Sequence, residues 1–181
     1  MITLDPQVAD DLAAYSKGFR EIKRVADQLY DDWLMALRLG ETPEVLALHR
    51  GLLLCYHQIV AAAFAYPNIV DRPGDPIIDN EQSQPKPYSL RSALLWVQFE
   101  IRAASLKSIM MVLQLASQRK LSDHDRQFYD KTFFKVLWDF HGFLRDPEIL
   151  TELKKAFPEM LPRYQRANSE VLSIIQDQTA N

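Results

Sequence analysis

The sequence predicts an all-α fold: a single irregular helical bundle of five to six helices spanning residues 1–181, interrupted by one long proline-rich loop at about 67–88. Three observations predict it. Apolar residues recur every three or four positions over most of the chain, one type of helix start repeats along it, and no β-alternation of useful length occurs.

The repeated start is a capping residue followed by proline: Asp5-Pro6, Thr42-Pro43-Glu44 and Asp146-Pro147-Glu148. Proline lacks an amide that would be unbonded there anyway, and an early carboxylate favours the positive end of the helix dipole. Ser122-Asp123-His124-Asp125 forms a fourth start, a capping box with Asp in place of Glu.

The first helix, about 6–39, carries Val8, Leu12, Tyr15, Phe19, Ile22, Ala26, Leu29, Trp33 and Ala36 at alternating spacings of four and three. That is a coiled-coil-like seam, with acidic and basic residues opposite it. The stretch "WLMALRL" is apolar all round and is expected to be deeply buried, and Gly40 then ends the helix by accepting a left-handed conformation. The second helix, about 43–66, is apolar on almost every side, with Glu44, His49, Arg50, His57 and Gln58 as its strongly polar positions. It belongs in the middle of a bundle.

The third helix, about 90–119, has a narrow polar stripe of Arg91, Gln98, Arg102 and Ser105 and is expected to share the centre with the second. A fourth runs over about 123–145, a short fifth contains "ELKKAF" before Pro158, and a last spans about 162–178. Leu161, Tyr164, Asn168, Val171 and Ile175 form its inner face, and residues 179–181 are expected to fray.

Five of the ten prolines lie between Tyr66 and Ser89. Read as a linker, that stretch would leave the first two helices as a hairpin with a large uncovered apolar surface. The second and third helices therefore need each other, which makes the stretch a loop within one domain. About 22 extended residues reach about 70 Å, against about 36 Å for a 24-residue helix, so a crossover is possible. Ile69-Val70 and Ile77-Ile78 are expected to tether the loop.

A formal charge of −3, with Lys and Arg dispersed among comparable numbers of Asp and Glu, disfavours nucleic acid as a partner, because phosphate neutralisation needs a basic patch. The start "MITLDPQVADD" has no basic region leading into an apolar stretch, and the lone Cys55 suits a reducing compartment; a cytoplasmic location is expected. The apolar run around Cys55 is shorter than the ~20 residues of a membrane span and contains His57 and Gln58, so no membrane partner is expected.

No cofactor or metal is expected. Glu-x-x-His, His-Glu-x-x-His, Gly-x-Ser-x-Gly, the P-loop and Gly-x-Gly-x-x-Gly are all absent from the sequence. Arg50 and His57, with six residues between them, and Arg119 and His124, with four between them, have spacings that resemble the Arg-x(4–6)-His element of HEPN ribonucleases. That resemblance implies metal-independent RNA cleavage by general acid-base chemistry through Arg50 and His57. Gly51 departs from the pattern, in which a polar residue follows the arginine, and Arg119 and His124 straddle a helix break. The alternative is that Arg50 and His57 face the bundle and pair with carboxylates such as Glu100.

The segment "FYDKTFFKVLWDFHGFLR", residues 128–145, is aromatic at seven of eighteen positions, more than one helix face can hold. At about 100° per residue, Tyr129, Phe133, Val136, Leu137, Phe140, Phe143 and Leu144 gather on a core seam. Phe134, Trp138, His141 and Arg145 fall on the other side, beside Lys131, in a composition typical of interface hot spots. Three arrangements fit that second stripe: cover from the same chain, a protein partner or second copy, or a pocket for an apolar ligand. The reading taken forward is a non-enzymatic interaction or regulatory module that self-associates, with Phe134, Trp138, His141 and Arg145 as its contact residues.

Overall fold

The computed structural model describes residues 2–15, 17–64, 76–78, 85–118 and 121–179. The fold is all-α, with seven helical segments among the described residues. These are α1 (Pro6–Tyr15), α2 (Lys17–Leu39), α3 (Thr42–Phe64), α4 (Leu90–Gln118), α5 (Asp123–Arg145), α6 (Pro147–Ala156) and α7 (Leu161–Thr179), with a 3-10 turn at Pro158–Met160. Contacts divide the chain into two compact units, Met1–Ser105 and Leu106–Asn181, and the boundary falls within α4.

Most expected starts are built as the sequence implies. The Asp5 carboxylate accepts from the Gln7 amide at 2.9 Å. Ser122 accepts from the Asp125 amide at 3.1 Å, the N-cap half of the expected capping box, and its hydroxyl donates to the Asp125 carboxylate at 2.6 Å. Asp146 accepts from the amides of Glu148 and Ile149 while its own amide bonds Phe143, so one residue ends α5 and starts α6. The α3 start is displaced by one residue. Thr42 is already helical and the first α-helical carbonyl is that of Glu41, which accepts from Val45 at 2.9 Å. Gly40 at φ 75° ends α2 as expected, with the amides of Gly40 and Glu41 both bonded to the Ala36 carbonyl.

In the N-terminal unit the seam of α1 and α2 buries Val8, Leu12, Phe19, Ala26, Trp33 and Ala36. The expected deep burial of "WLMALRL" is only half met, because Met35 and Leu39 are 55% and 66% exposed. Trp33 and Ala36 take the buried side of that turn, and among the described residues nothing covers Met35 and Leu39 fully. The same holds for α3, where Val45, Leu52, Tyr56 and Ile59 are buried while Arg50, Leu54 and His57 face out, Leu54 at 58% exposure. A mostly apolar sequence does not oblige every side of a helix to be covered, so α3 is not the enclosed central helix that its composition implies. From Ser92 to Ile101, α4 is buried on nearly all sides, and there the Trp96 indole donates to the buried Glu100 carboxylate at 3.2 Å.

Of the expected loop, residues 67–75 and 79–84 lie outside the described residues, as do the tethers Ile69-Val70 and the tail residues 180–181. Its remainder is not irregular. Strand β1 (Pro76–Ile78) pairs antiparallel with β2 (Pro85–Ser89), a two-stranded ribbon with an irregular register that prolines at its edges can tolerate. The ribbon leads into α4, where Ser89 caps the helix by accepting from the Ser92 amide at 3.1 Å. Beside it the Tyr88 hydroxyl donates to the Asp11 carboxylate at 2.5 Å. The described anchor of the segment is thus Tyr88, which burial and the Asp11 carboxylate hold in its neutral form.

In the C-terminal unit α5 packs on α6 and α7, and the 3-10 turn joins those two. The Tyr164 hydroxyl donates to the carbonyls of Leu144 at 2.9 Å and Phe143 at 3.3 Å, and burial pushes its pKa up to about 12.

Two predictions follow from this packing. Tyr164→Phe should lower unfolding free energy by about 1 kcal/mol in urea titrations, since it removes a buried donor from helix-terminal carbonyls. The second concerns His49, fully buried on α3 with its ring 5.1 Å from that of Trp33. Burial depresses the His49 pKa from 6.5 to about 4. An unfolded chain takes up that proton first, so the contribution is complete above pH 6.5 and is lost as pH falls towards 4. Stability should drop by about 3 kcal/mol over that window, and His49→Leu should flatten this part of the pH dependence.

Candidate functional site

The candidate site is built on α5. Its core seam holds Tyr129, Phe133, Leu137, Phe140, Phe143 and Leu144, all buried. The remaining aromatic residues point elsewhere because the spacing leaves no room for them on that seam. Phe134 is 44% exposed and Trp138 is 54% exposed, and Arg145 is exposed in the last turn. Among the described residues, cover from the same chain, the first of the three arrangements considered for this stripe, leaves about half of both rings exposed.

Of the four stripe residues, two are in direct contact. The Trp138 and His141 rings meet edge to face, with centroids 5.6 Å apart and planes at 79°. His141 is half-buried, and its Nδ1 is enclosed with no hydrogen-bond partner. It supports one edge of the indole and leaves the rest in water. Phe134 rests edge-on against Phe133 at 5.4 Å, which fixes the exposed ring to the buried seam. Arg145 completes the stripe as a cation at the helix C-terminus, where the dipole favours it.

Phe134 also belongs to a groove that the sequence did not reveal. Met110 and Leu113 from α4, Asp130, Phe133 and Phe134 from α5, and Ile174, Asp177 and Gln178 from α7 line a cleft of about 560 Å³. Its floor is apolar and its rim carries two carboxylates. The doubled apolar pairs Met110-Met111 and Ile174-Ile175 were the available signal, since each puts an apolar residue beyond the single inner face of its helix.

Arg50 and His57 both lie on the exposed side of α3, about 10 Å apart along its axis. They do not face inwards, and Glu100, the suggested carboxylate partner, is buried and takes the Trp96 indole. Arg119 lies outside the described residues, and His124 is exposed with Nδ1 4.0 Å from an Asp125 oxygen. The buried histidine of α3 is His49, one position before the arginine of the motif.

Among the described residues no three His, Cys, Asp or Glu side chains cluster as a metal site, and no helix is long and apolar enough to cross a membrane. No protein family, curated protein or solved structure matches the chain.

The division of α5 into seam and stripe is open to a stability test. Phe140→Ala, which empties a buried position, should cost about 3 to 5 kcal/mol. Trp138→Ala should cost less than about 1 kcal/mol when measured on dilute protein, because its indole is already half in water.

Proposed function

We propose that this protein is a non-enzymatic cytoplasmic interaction or regulatory module that self-associates through the exposed stripe of α5. One observation carries the reading: two large aromatic side chains, Phe134 and Trp138, stand 44% and 54% exposed on one face of a helix whose opposite face is fully packed. Half-exposed aromatic residues in a contiguous stripe are unfavourable in water and are the common anchors of protein interfaces. They are also held in place before any partner arrives, Phe134 by Phe133 and Trp138 by His141. Such pre-ordering lowers the entropy lost on association.

A second copy is favoured over a different protein by charge. Lys131 and Arg145 are exposed near the stripe of α5, and Asp123 is exposed at the start of the same helix. This surface therefore carries both signs and can complement a second copy of itself.

Light scattering over a dilution series tests this directly. The wild-type protein should show a dimer that dissociates on dilution, and Trp138→Ala should raise the dissociation constant at least about tenfold while the helical circular dichroism stays unchanged. A wild-type protein that is monomeric at every concentration would overturn the reading.

A further inference from the structure

The charges and aromatic residues of α5 are arranged symmetrically about one position. Helix α5 runs from Asp123 to Arg145, and Phe134 stands at its midpoint, eleven residues from either end. Eleven residues are about three turns, so Asp123 and Arg145 each lie within about 20° of Phe134 on the helix surface. Trp138 and Lys131 lie on one flank of that line, about 40° and 60° round from Phe134, one turn towards opposite ends of the helix. The first turn is acidic and the last is basic.

We propose that two copies pair through α5 in antiparallel orientation about a two-fold axis at Phe134, so that each Trp138 covers Lys131 of the other copy. The proposal rests on the self-association reading above and adds its register. A two-fold axis perpendicular to two antiparallel helices brings equal flanks together, and it places residue 134 + n opposite residue 134 − n. Phe134 then meets its own counterpart on the axis. Trp138 falls opposite position 130 and on the flank that holds Lys131, within one residue of alignment, which sets an ammonium group over an indole face. Arg145 falls opposite Asp123, twice in the dimer. Antiparallel alignment also sets each helix N-terminus beside the other's C-terminus, which the helix dipoles favour. A parallel pair would instead place Asp123 on Asp123 and Arg145 on Arg145.

Asp123, Lys131 and Arg145 are available for these pairs. Lys131 and Arg145 are exposed, and so is Asp123, whose neighbour Asp125 alone bonds to Ser122. The interface is isologous, so the same patch serves both copies.

The test is charge reversal, read as the dimer dissociation constant from light scattering or sedimentation of the full chain. Asp123→Lys and Arg145→Glu should each weaken the dimer about tenfold, because each puts like charges opposite one another at two symmetric places. The double variant Asp123→Lys/Arg145→Glu should return to within about threefold of the wild type, since both pairs are restored with reversed sign. Lys131→Glu should weaken the dimer about tenfold and Lys131→Arg should leave it intact, because guanidinium keeps the contact with the indole. Circular dichroism confirms that each variant is folded. A wild-type dimer that Trp138→Ala disrupts, but that the single reversals leave unchanged or the double variant fails to restore, would overturn the antiparallel register and leave the stripe as the interface. A monomeric wild type would overturn both.

Discussion

The aromatic seam of α5 is closed at its C-terminal end by Tyr164, whose hydroxyl donates to the carbonyls of Phe143 and Leu144. Those carbonyls belong to the last turn, where helices run out of their own donors. The Asp146-Pro147 corner supplies the other half of the closure by ending α5 and starting α6 without a spacer. After the 3-10 turn at Pro158, α7 returns along α5 and buries Tyr164 and Val171. With α6 and α7 committed to the seam, Trp138 on the far side of α5 stays half exposed, and α7 approaches the stripe only beside Phe134. The exposed stripe is thus a consequence of how the seam is closed, and both follow from placing seven aromatic residues on one helix.

A different economy governs the N-terminal unit. There α2 and α3 form a hairpin through the left-handed Gly40, and the interface between them admits polar groups: the Trp33 ring lies 5.1 Å from that of His49 and 5.8 Å from that of Tyr30. The indole nitrogen of Trp33 and the hydroxyl of Tyr56 are buried with no hydrogen-bond partner among the described residues. Burial raises the Tyr56 pKa above its usual range, and the nearby Tyr30 and Asp27 add to the effect. Such groups reduce the gain from burying the rings that carry them. Keeping His49 neutral is the least costly way to bury it, and this makes the hairpin sensitive to acid.

The sequence was most legible where local rules suffice. Asp5, Ser122 and Asp146 cap as their patterns imply, and the α5 seam follows from spacing alone, because capping and helical period are decided within a few residues. It was least legible where the answer depends on what lies opposite. Met35, Leu39 and Leu54 are as apolar as their buried neighbours, yet they stand more than half exposed. His49 and His57 look alike in the sequence, and only the packing of α2 against α3 separates the buried ring from the exposed one. The α5 stripe was visible as a second face, but its exposure was not, and the groove beside it draws on three helices that no local pattern links. The β1–β2 ribbon escaped for a related reason: five and three residues with three prolines carry too little alternation to register as strands.

Symmetry decides what an exposed stripe of this kind can build. Were it to bind a different patch on the next molecule, each copy would leave one stripe and one patch free, and assembly would continue into a ring or a filament. A helix that is acidic at its start, basic at its end and aromatic at its midpoint is complementary to itself when turned end for end. Pairing then uses up the whole stripe at two copies, and no unsatisfied surface of the same kind is left to recruit a third. The groove of Met110, Leu113 and Ile174 meets the stripe only at Phe134, so most of its lining stays outside such a pairing. Two copies joined through α5 would therefore carry two such apolar, acid-rimmed grooves related by the same two-fold axis.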